Sequence, residues 1–410
     1  MAEGIVPSLR DRFELPLGPD GAEAIYVCGH SLGPLLRSAR GLMEDEVDAW
    51  AWLGVEGWFR AEDPWFTYPD TLADPTARLV GASPNEIVSM NSLTINLHML
   101  LASFYRPADG RDRILIEASA FPSDRYAVIS HLERNGVDRA DGLVVAEPRA
   151  GEETLRTEDL EALIKSEGER LAIVWLPGVQ YVSGQVLDMA RLTAAAHAVG
   201  ALAGWDLAHA AGNLPLRLHD WDADFAVWCS YKYLNGGPGS IGQAFIHERW
   251  ADDPSLVVPA GWWGNDPATR FEVAFAFEPR PGAASWQTST PSLLAMVPLR
   301  ASLALFDEVG LAALRTRSMA LSAHLQSLVD GIGGVATITP RSPDERGAML
   351  SLRVAHRSEE VQRRLAERGV ILDFRKPDIF RLALAPLYNT FEEADRFAAI
   401  LAEVVEDLAN

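Results

Sequence analysis

Short apolar segments alternate with helical patterns through the middle of this 410-residue chain. The apolar segments span 113–116, 142–145, 171–176, 201–205 and 225–229, and the helical patterns span 123–132, 157–166 and 188–199. A helix between two strands carries the chain back to the edge at which the first strand began, so the strands lie parallel. The alternation therefore predicts an α/β fold in which helices cover both faces of a mostly parallel central sheet.

The segments on either side of this alternation are less regular. A helical pattern spans 36–52, and an aromatic, proline-rich stretch at 58–69 predicts a loop. A second helix is predicted to begin at Asn91 and to run through Leu101. A long loop region rich in Pro, Gly, Ser and Thr spans 259–290.

The C-terminal part of the chain mixes both kinds of pattern. Helices are predicted at 293–309, from there to 329, at 359–368 and at 391–408, and strands at 335–339, 348–354 and 379–383. We therefore expect three parts. Residues 1–60 contribute to a small domain, 61–290 form a large α/β domain, and 291–410 form a smaller α+β domain.

The charge balance limits the classes of partner. The chain has 36 Lys and Arg against 57 Asp and Glu, and its net charge of −21 argues against nucleic acid or an anionic membrane. No apolar run approaches a membrane span, and residues 1–13 lack the apolar stretch of a secretory signal. Two cysteines, Cys28 and Cys229, are too few for a disulfide scaffold or a cysteine metal site. We expect a cytoplasmic protein without a metal site.

A lysine follows the last strand of the alternating series. The predicted strand 225–229 is followed by Ser230, Tyr231, Lys232 and Tyr233, and then by a glycine-rich turn. Ligands of open α/β sheets bind at strand ends, and a lysine between two tyrosines can lose solvation, which favours the free amine or a Schiff base. A solvated surface lysine is the commoner outcome for any single lysine in this position.

A carboxylate follows the neighbouring predicted strand, and together with the lysine it indicates a binding site. The segment 201–205 is followed by Asp206 and then by His209. A carboxylate and a lysine at neighbouring strand ends suit a cofactor whose ring nitrogen needs an anion and whose aldehyde needs an amine, as in pyridoxal phosphate. The helix that begins near Asn91 has polar caps and free backbone N–H groups that suit a phosphate, although without a phosphate it is only a capped helix.

Five dispersed motifs resemble those of the kynureninases. They are Leu-Thr-Ile-Asn-Leu-His at 93–98, Phe-Pro-Ser-Asp at 121–124, Trp-Asp-Leu-Ala-His-Ala at 205–210, Trp-Cys-Ser-Tyr-Lys-Tyr-Leu-Asn at 228–235 and Ala-Pro-Leu-Tyr-Asn-Thr-Phe at 385–391. The resemblance implies a pyridoxal-phosphate enzyme of fold type I, the aspartate-aminotransferase superfamily. It implies hydrolytic Cβ–Cγ cleavage of L-kynurenine to anthranilate and L-alanine, in tryptophan catabolism and NAD biosynthesis.

The resemblance also implies roles for particular residues. Lys232 is expected to bind the cofactor's aldehyde and to move protons at the substrate Cα, Asp206 to keep the ring nitrogen protonated, and Tyr231 to assist catalysis and hold the phosphate. The other expected cofactor-binding residues are Leu93, Thr94, Phe121, Ser123, Asp124, His209, Trp262 and Thr290. Trp262 and Thr290 are expected to come from a neighbouring subunit, which implies a homodimer.

The expected substrate-binding residues lie far apart in the sequence. Arg381 corresponds to the family's clamp for the α-carboxylate, and the others are Ser31, Trp58, Asn265 and Thr290. Four positions depart from the family pattern: His30 stands for the usual Asn, Pro177 for a frequent Ser, Asn265 for His and Thr290 for Asn. The resemblance also places Trp58 where some kynureninases carry a histidine, and that position and the one of Thr290 face the substrate's ring in the family. A histidine and an asparagine could hydrogen-bond a ring hydroxyl, so Trp58 and Thr290 predict a preference for L-kynurenine over 3-hydroxykynurenine.

Other readings of the same fold remain open at this point. A cysteine desulfurase or a transaminase is one, although a desulfurase needs a mobile nucleophilic cysteine, and neither cysteine lies in a polar, flexible loop. A binding or scaffold protein that keeps the fold without chemistry is another. Lys232, Asp206 and Arg381 together argue against a scaffold.

Overall fold

The strands and helices follow the predicted alternation closely. The structure is a computed structural model and describes residues 6–108, 110–251, 253, 255–272 and 275–409. The strands are β1 (Phe13–Glu14), β2 (Ile25–Tyr26), β3 (Leu35–Leu36), β4 (Ile87–Ser89), β5 (Arg113–Glu117), β6 (Leu143–Ala146), β7 (Leu171–Pro177), β8 (Leu202–Asp206), β9 (Phe225–Cys229), β10 (Gly242–Ile246), β11 (Val335–Thr337), β12 (Met349–Val354), β13 (Val370–Ile371), β14 (Asp373–Arg375) and β15 (Ile379–Ala383). The helices are α1 (Arg37–Leu53), α2 (Gly57–Arg60), α3 (Ala73–Val80), α4 (Leu93–Phe104), α5 (Pro122–Arg134), α6 (Arg139–Gly142), α7 (Thr157–Glu167), α8 (Met189–Ala198), α9 (Glu248–Ala251), α10 (Leu293–Val309), α11 (Leu311–Val329), α12 (Ser358–Glu367) and α13 (Phe391–Ala409).

Seven strands form the central sheet in the order β4-β10-β9-β8-β7-β5-β6. The four pairings from β9 to β6 are parallel, whereas β10 pairs antiparallel with β9 and with β4. Alternate side chains of each strand enter two different cores. Helices α4 and α5 pack on one face, and α7, α8 and α10 pack on the other. The expected mostly parallel sheet with helices on both faces is confirmed.

The antiparallel strands β4 and β10 were not predicted from the sequence. β4 is only three residues long, and β10 begins with a glycine and carries the polar Gln243, so neither has a strong apolar signal. Gln243 is nevertheless fully buried, because its amide bonds Thr76, Ser89 and the indole of Trp228. These bonds satisfy a polar side chain that would otherwise be costly to bury.

The aromatic stretch at 58–69 is more regular than expected. It begins within α2, and a 3-10 turn spans Tyr68–Leu72. Pro69 lies at the start of that turn, where a helix needs no backbone N–H donor, so proline does not break the structure there. The prediction of a structureless loop was wrong for these two short segments.

The C-terminal part contains an antiparallel sheet in the order β11-β12-β15-β14. The N-terminal segment joins it, because β2 pairs in parallel with β13, and Ile25 and Val27 enter the same core as Leu350 and Phe380. Helices α11, α12 and α13 supply the rest of this core. Among the described residues, no helix is long and apolar enough to cross a membrane.

A stack of three aromatic rings fills the core beneath β9. The ring of Phe225 lies 4.6 Å from that of Phe104 at 12°, and 5.7 Å from that of Trp175 at 13°. Gly204 leaves room for this stack, since a Cβ there would lie 2.5 Å from the Phe225 ring and 2.7 Å from that of Trp175. Because β9 leads directly to Lys232, this packing fixes the strand that carries the lysine.

Gly204→Ala should lower the free energy of unfolding by about 1–3 kcal/mol, the usual cost of overpacking a filled core. Gly41→Ala is the matched control, because Gly41 lies on exposed α1 and no described atom lies within 4 Å of an added Cβ. That change should raise the free energy of unfolding by about 0.5–1 kcal/mol through the helix preference of alanine. Urea unfolding of both variants measures the difference, and equal effects would contradict this account of the stack.

Candidate functional site

One cavity brings together nine residues that the sequence analysis placed at a cofactor site. Strand β8 ends at Asp206, the turn after β9 carries Lys232, and helices α4 and α5 both begin at the cavity. The nine residues are Leu93, Thr94, Phe121, Ser123, Asp124, Asp206, His209, Tyr231 and Lys232. Parallel pairing of β8 with β9 explains the meeting, because the carboxyl ends of parallel strands lie at one edge.

The Lys232 amine is held by a histidine. Nζ lies 3.1 Å from Nε2 of His209 and 5.9 Å from the centre of the Phe121 ring. Complete burial holds the pKa of His209 well below its usual value, and the charge of Lys232 lowers it further. His209 is therefore neutral, and its Nε2 accepts from the lysine. Its Nδ1 is buried and finds no partner among the described residues.

Two carboxyl groups lie together below the lysine. Asp206 is 8% exposed, and its Oδ1 accepts the N–H of Ala208 at 2.8 Å. Burial raises the pKa of Asp124 well above its usual value, and the neighbouring Asp206 raises it further. Both effects favour the protonated form of Asp124. Oδ1 of Asp124 is buried and has no partner within the described residues.

The first turn of α4 supplies donors for an anion. The Ser92 side chain makes no capping hydrogen bond. The first intrahelical hydrogen bond runs from the N–H of Asn96 to the carbonyl of Ser92, at 2.9 Å. The N–H groups of Leu93, Thr94 and Ile95 precede it and have no intrahelical acceptor. A twelve-residue helix adds the favourable end of its dipole.

These groups fit pyridoxal phosphate. The cavity contains an amine for the aldehyde, a carboxylate for the ring nitrogen, an aromatic face at Phe121 and helix N–H groups for the phosphate. The unpartnered Asp124 and His209 atoms are further polar groups that face the space such a ring would occupy. Burial raises the pKa of the Tyr231 phenol, so Tyr231 keeps its proton and can donate a hydrogen bond.

Sequence reasoning missed a third acidic group in this cavity, Glu117. Glu117 is 3% exposed, and burial raises its pKa to about 7, with a further contribution from Asp206. Gln180 donates to it at 3.2 Å. A signal was present, because Glu117 is the last residue of β5 and lies at the same sheet edge as Asp206. Tyr181, also unforeseen, lies edge-on to Phe121, with the ring centres 5.2 Å apart.

Arg381 lies beside the cavity, behind Tyr181. Its Nε and Nη2 donate to the two carboxylate oxygens of Asp373 at 2.9 and 2.7 Å, and Nη1 donates to the carbonyl of Tyr181 at 2.7 Å. A guanidinium has five N–H groups, so within the described residues one on each Nη atom is left for another acceptor. Arg375 also pairs with Asp373, at 2.8 Å. Burial opposes ionisation of Asp373, but the two arginines hold its pKa below the usual value.

The imidazole of His30 lies between Lys232 on one side and the Arg381–Asp373 pair on the other. It is fully buried, 6.2 Å from the His209 ring between centres, and neither nitrogen has a partner among the described residues. Burial holds the pKa of His30 well below its usual value, and Arg381 and Lys232 lower it further. It therefore does not titrate near neutral pH.

Besides Arg381, five of the expected residues do not line this cavity within one chain. Trp58 packs against Trp65 and Trp263, with ring centres 5.7 and 5.9 Å away. The other four are half-buried or exposed: Ser31 donates its N–H to Cys28, Trp262 donates its indole N–H to Arg270, Asn265 bonds Glu278, and Thr290 lies on the surface. Pro177, one of the positions that depart from the family pattern, does line the cavity.

Comparisons with solved structures support the fold. An apo cysteine desulfurase from Thermococcus onnurineus NA1 superposes with a TM-score of 0.81 at 18% identity, covering 98% of both chains. The cystine C–S lyase C-DES, in complex with cysteine persulfide, gives 0.80 at 19% identity, covering 94% of this chain and 99% of that one. At these identities the likeness concerns the fold alone, and the expected fold type I is confirmed.

Sequence comparisons identify the family. Residues 314–401 match the model of the kynureninase C-terminal domain. A kynureninase from Koribacter versatilis is 51% identical over 390 residues, which is 95% of this chain and 92% of that protein. A kynureninase from Salinispora tropica is 49% identical over 407 residues, covering 98% and 95%. The chain therefore belongs to the kynureninase family and is a pyridoxal-phosphate-dependent hydrolase.

Proposed function

We propose that this protein cleaves the Cβ–Cγ bond of L-kynurenine with water, giving anthranilate and L-alanine. The observation that carries the proposal is the meeting of the Lys232 amine, the Asp206 carboxylate and the free end of α4 in one cavity, in a chain about half identical to kynureninases. When bound, pyridoxal phosphate supplies an electron sink next to the substrate Cα. All binding, orientation and proton movement then falls to the chain's own residues.

Lys232 is the proposed base of the reaction. Its Nζ, once unprotonated, takes the proton from the substrate Cα and returns it later in the cycle. Neutral His209 accepts from Nζ at 3.1 Å, which keeps the amine pointed into the cavity. Water then adds to the γ-carbonyl carbon. As the Cβ–Cγ bond breaks, the carbonyl carbon becomes the anthranilate carboxylate and a proton goes to Cβ of the alanine.

Arg381 is the proposed anchor of the substrate α-carboxylate. Asp373 holds the guanidinium by two hydrogen bonds, and the two N–H groups that remain can reach an anion together. Arg375 shares the same Asp373, so two positive charges face one negative charge. The net positive charge favours an amino acid over an amine as substrate.

The cysteines argue against a desulfurase of the same fold. A desulfurase needs a thiol that ionises readily. Burial raises the pKa of Cys28 to about 11, and burial also raises the pKa of Cys229. Both thiols are free, and a reducing compartment such as the cytoplasm stays a prediction.

We further propose that the active unit is a homodimer. Trp262 is 49% exposed and Thr290 lies on the surface, so each is available to the cavity of a second copy. The surface of α1 and α2 carries more exposed aromatic rings, with Trp52 at 86% and Phe59 at 59%, and such patches mark interfaces. A monomer in analytical ultracentrifugation of the active enzyme would contradict this.

We propose that the chain divides into domains at about residues 60 and 290. The core of Ile25, Leu350 and Phe380 supports a small domain built from both ends of the chain. Helix α10 supplies Met296 and Phe306 to the core of the large domain, whereas α11 supplies Leu314 to that core and Leu321 to the small one, so α11 joins the two.

Incubation with L-kynurenine tests the proposed reaction directly. The wild-type protein should give equal amounts of anthranilate and L-alanine, measured by chromatography. Lys232→Ala should abolish turnover and the absorbance change on borohydride treatment, because no amine remains to bond the cofactor. Lys165→Ala, a change in α7 outside the cavity, is the matched control and should keep both. Turnover that survives in Lys232→Ala would refute the role of Lys232.

Arg381→Ala should raise KM by about ten- to a hundredfold and leave the cofactor absorbance unchanged. A charge-assisted hydrogen bond lost from a buried site costs about 1.5–3 kcal/mol, which gives this range. Arg353→Ala is the matched control, because Arg353 lies in the adjacent strand β12 and pairs at the surface with Glu153 and Asp378. Steady-state kinetics measure both variants. An unchanged KM for Arg381→Ala would exclude it as the carboxylate anchor.

We also propose that the substrate preference follows from Trp58 and Thr290. An indole fills space and offers one N–H donor, so a ring hydroxyl gains little from it. L-kynurenine should be favoured over 3-hydroxykynurenine by about ten- to a hundredfold in kcat/KM, since pockets without polar partners still tolerate an added hydroxyl.

The double variant Trp58→His, Thr290→Asn should move kcat/KM toward the hydroxylated substrate. Tyr126→His changes an exposed aromatic side chain outside the cavity and should leave the ratio of the two kcat/KM values unchanged. Equal values in the wild type, or an unmoved ratio in the double variant, would refute this account of the pocket.

A further inference from the structure

A second group of chemically active side chains lies at the opposite edge of the central sheet. Glu86 directly precedes β4, His247 directly follows β10, and His219 belongs to the loop between β8 and β9. Phe225 and Ile246 pair at this edge, whereas Lys232 follows the other end of β9, about 16 Å away along a five-residue strand. The group is therefore separate from the cofactor cavity.

The three side chains bring their donor atoms close together. Nδ1 of His219 lies 2.9 Å from Oε1 of Glu86, and Nδ1 of His247 lies 3.7 Å from the same oxygen. All three donor atoms lie within 4.8 Å of one another. Ligands bound to one tetrahedral zinc ion at about 2.0–2.1 Å are separated by about 3.4 Å, so the two distances to Glu86 lie on either side of this value.

Asp222 completes the arrangement from outside. Its Oδ1 lies 3.4 Å from Nε2 of His247, while Nδ1 of His247 accepts the N–H of Arg249 at 3.2 Å. The proton of His247 is therefore on Nε2, and the lone pair of Nδ1 accepts the Arg249 N–H while Nδ1 lies 3.7 Å from Oε1 of Glu86. A carboxylate behind a histidine is the usual support for a metal-binding imidazole, because it fixes the tautomer and the ring.

Burial and access also suit a bound cation. Glu86 is fully buried, and its two oxygens accept backbone N–H groups from Ser83 at 2.8 Å and Glu248 at 2.9 Å, which fix the carboxylate. The His219 side chain is 37% exposed and gives a path from solvent. The rings of His219 and His247 are stacked, 4.9 Å apart at 15°, so one ion can lie in both ring planes only after a ring turns, and the more exposed His219 is the ring that is free to do so.

We propose that Glu86, His219 and His247 bind a divalent transition metal of the zinc class, with water as the fourth ligand. Two imidazoles and one carboxylate are a zinc donor set, whereas magnesium and calcium prefer oxygen alone. Zinc would replace the Nδ1 proton that His219 now donates to Glu86, and it would take the lone pair of His247 from Arg249. This proposal departs from the expectation of a protein without a metal site.

The bound ion would act as a structural clamp. It would tie the loop that carries His219 to strand β4, which follows Glu86, and to strand β10, which precedes His247. Because the clamp lies away from Lys232, it should stabilise the fold without entering the reaction. Anything that binds only the folded state raises its stability by mass action.

Zinc chloride and a coloured zinc indicator test the proposal in chelator-treated holoenzyme. The wild-type protein should take one more equivalent of zinc from the indicator than His219→Ala or His247→Gln does. Zinc should also raise the Tm of the wild type. Each variant should lose affinity by about a hundredfold or more, since even an outer-shell partner is worth about 10- to 100-fold. Turnover without zinc should match the wild type in both variants.

His324→Ala is the matched control. His324 pairs with Asp395 at 2.7 Å on the surface of the C-terminal part, away from this cluster. It should keep the wild-type zinc stoichiometry and the rise in Tm. The proposal is overturned when the wild type binds no zinc, or when both cluster variants, with normal circular dichroism and cofactor absorbance, bind as much zinc as the wild type.

Discussion

The parallel pairing of β8 and β9 is the constraint on which the site depends. It brings Asp206 and Lys232, twenty-six positions apart in the sequence, to one edge of the sheet. Residues that end neighbouring parallel strands meet there whatever their separation along the chain. The stack of Phe225 on Trp175 and Phe104 holds β9 from below, so the position of the lysine is set by the core and not by its own loop.

Burial then decides which groups in the cavity are charged. Asp124 and His209 are both neutral, because each lies in a buried position next to a group of its own charge type. Glu117 follows the same rule, because burial raises its pKa to about 7. An arrangement of this kind keeps hydrogen-bonding capacity high and the net charge of the cavity low.

The fold could be predicted from the sequence wherever periodicity was strong, and the site wherever a polar residue ended a predicted strand. Helix α10 and strand β9 were predicted with the bounds that they have. β4 and β10 could not be predicted, because a buried Gln243 satisfied by three side chains looks polar in the sequence. The pairing of Arg381 with Asp373 was equally hidden, since it depends on the register of β14 against β15.

His30 illustrates how the surroundings of a side chain change its chemistry. The sequence suggests a titrating group next to Ser31, in place of an amide that is common in the family. In the fold, Arg381, Arg375 and Lys232 all disfavour a charged imidazole, and complete burial disfavours it further, so the pKa of His30 is held well below its usual value. A neutral imidazole has one donor and one acceptor, much as an amide has both. His30 can therefore stand in the position of an asparagine without adding charge to a region that already contains three cationic side chains.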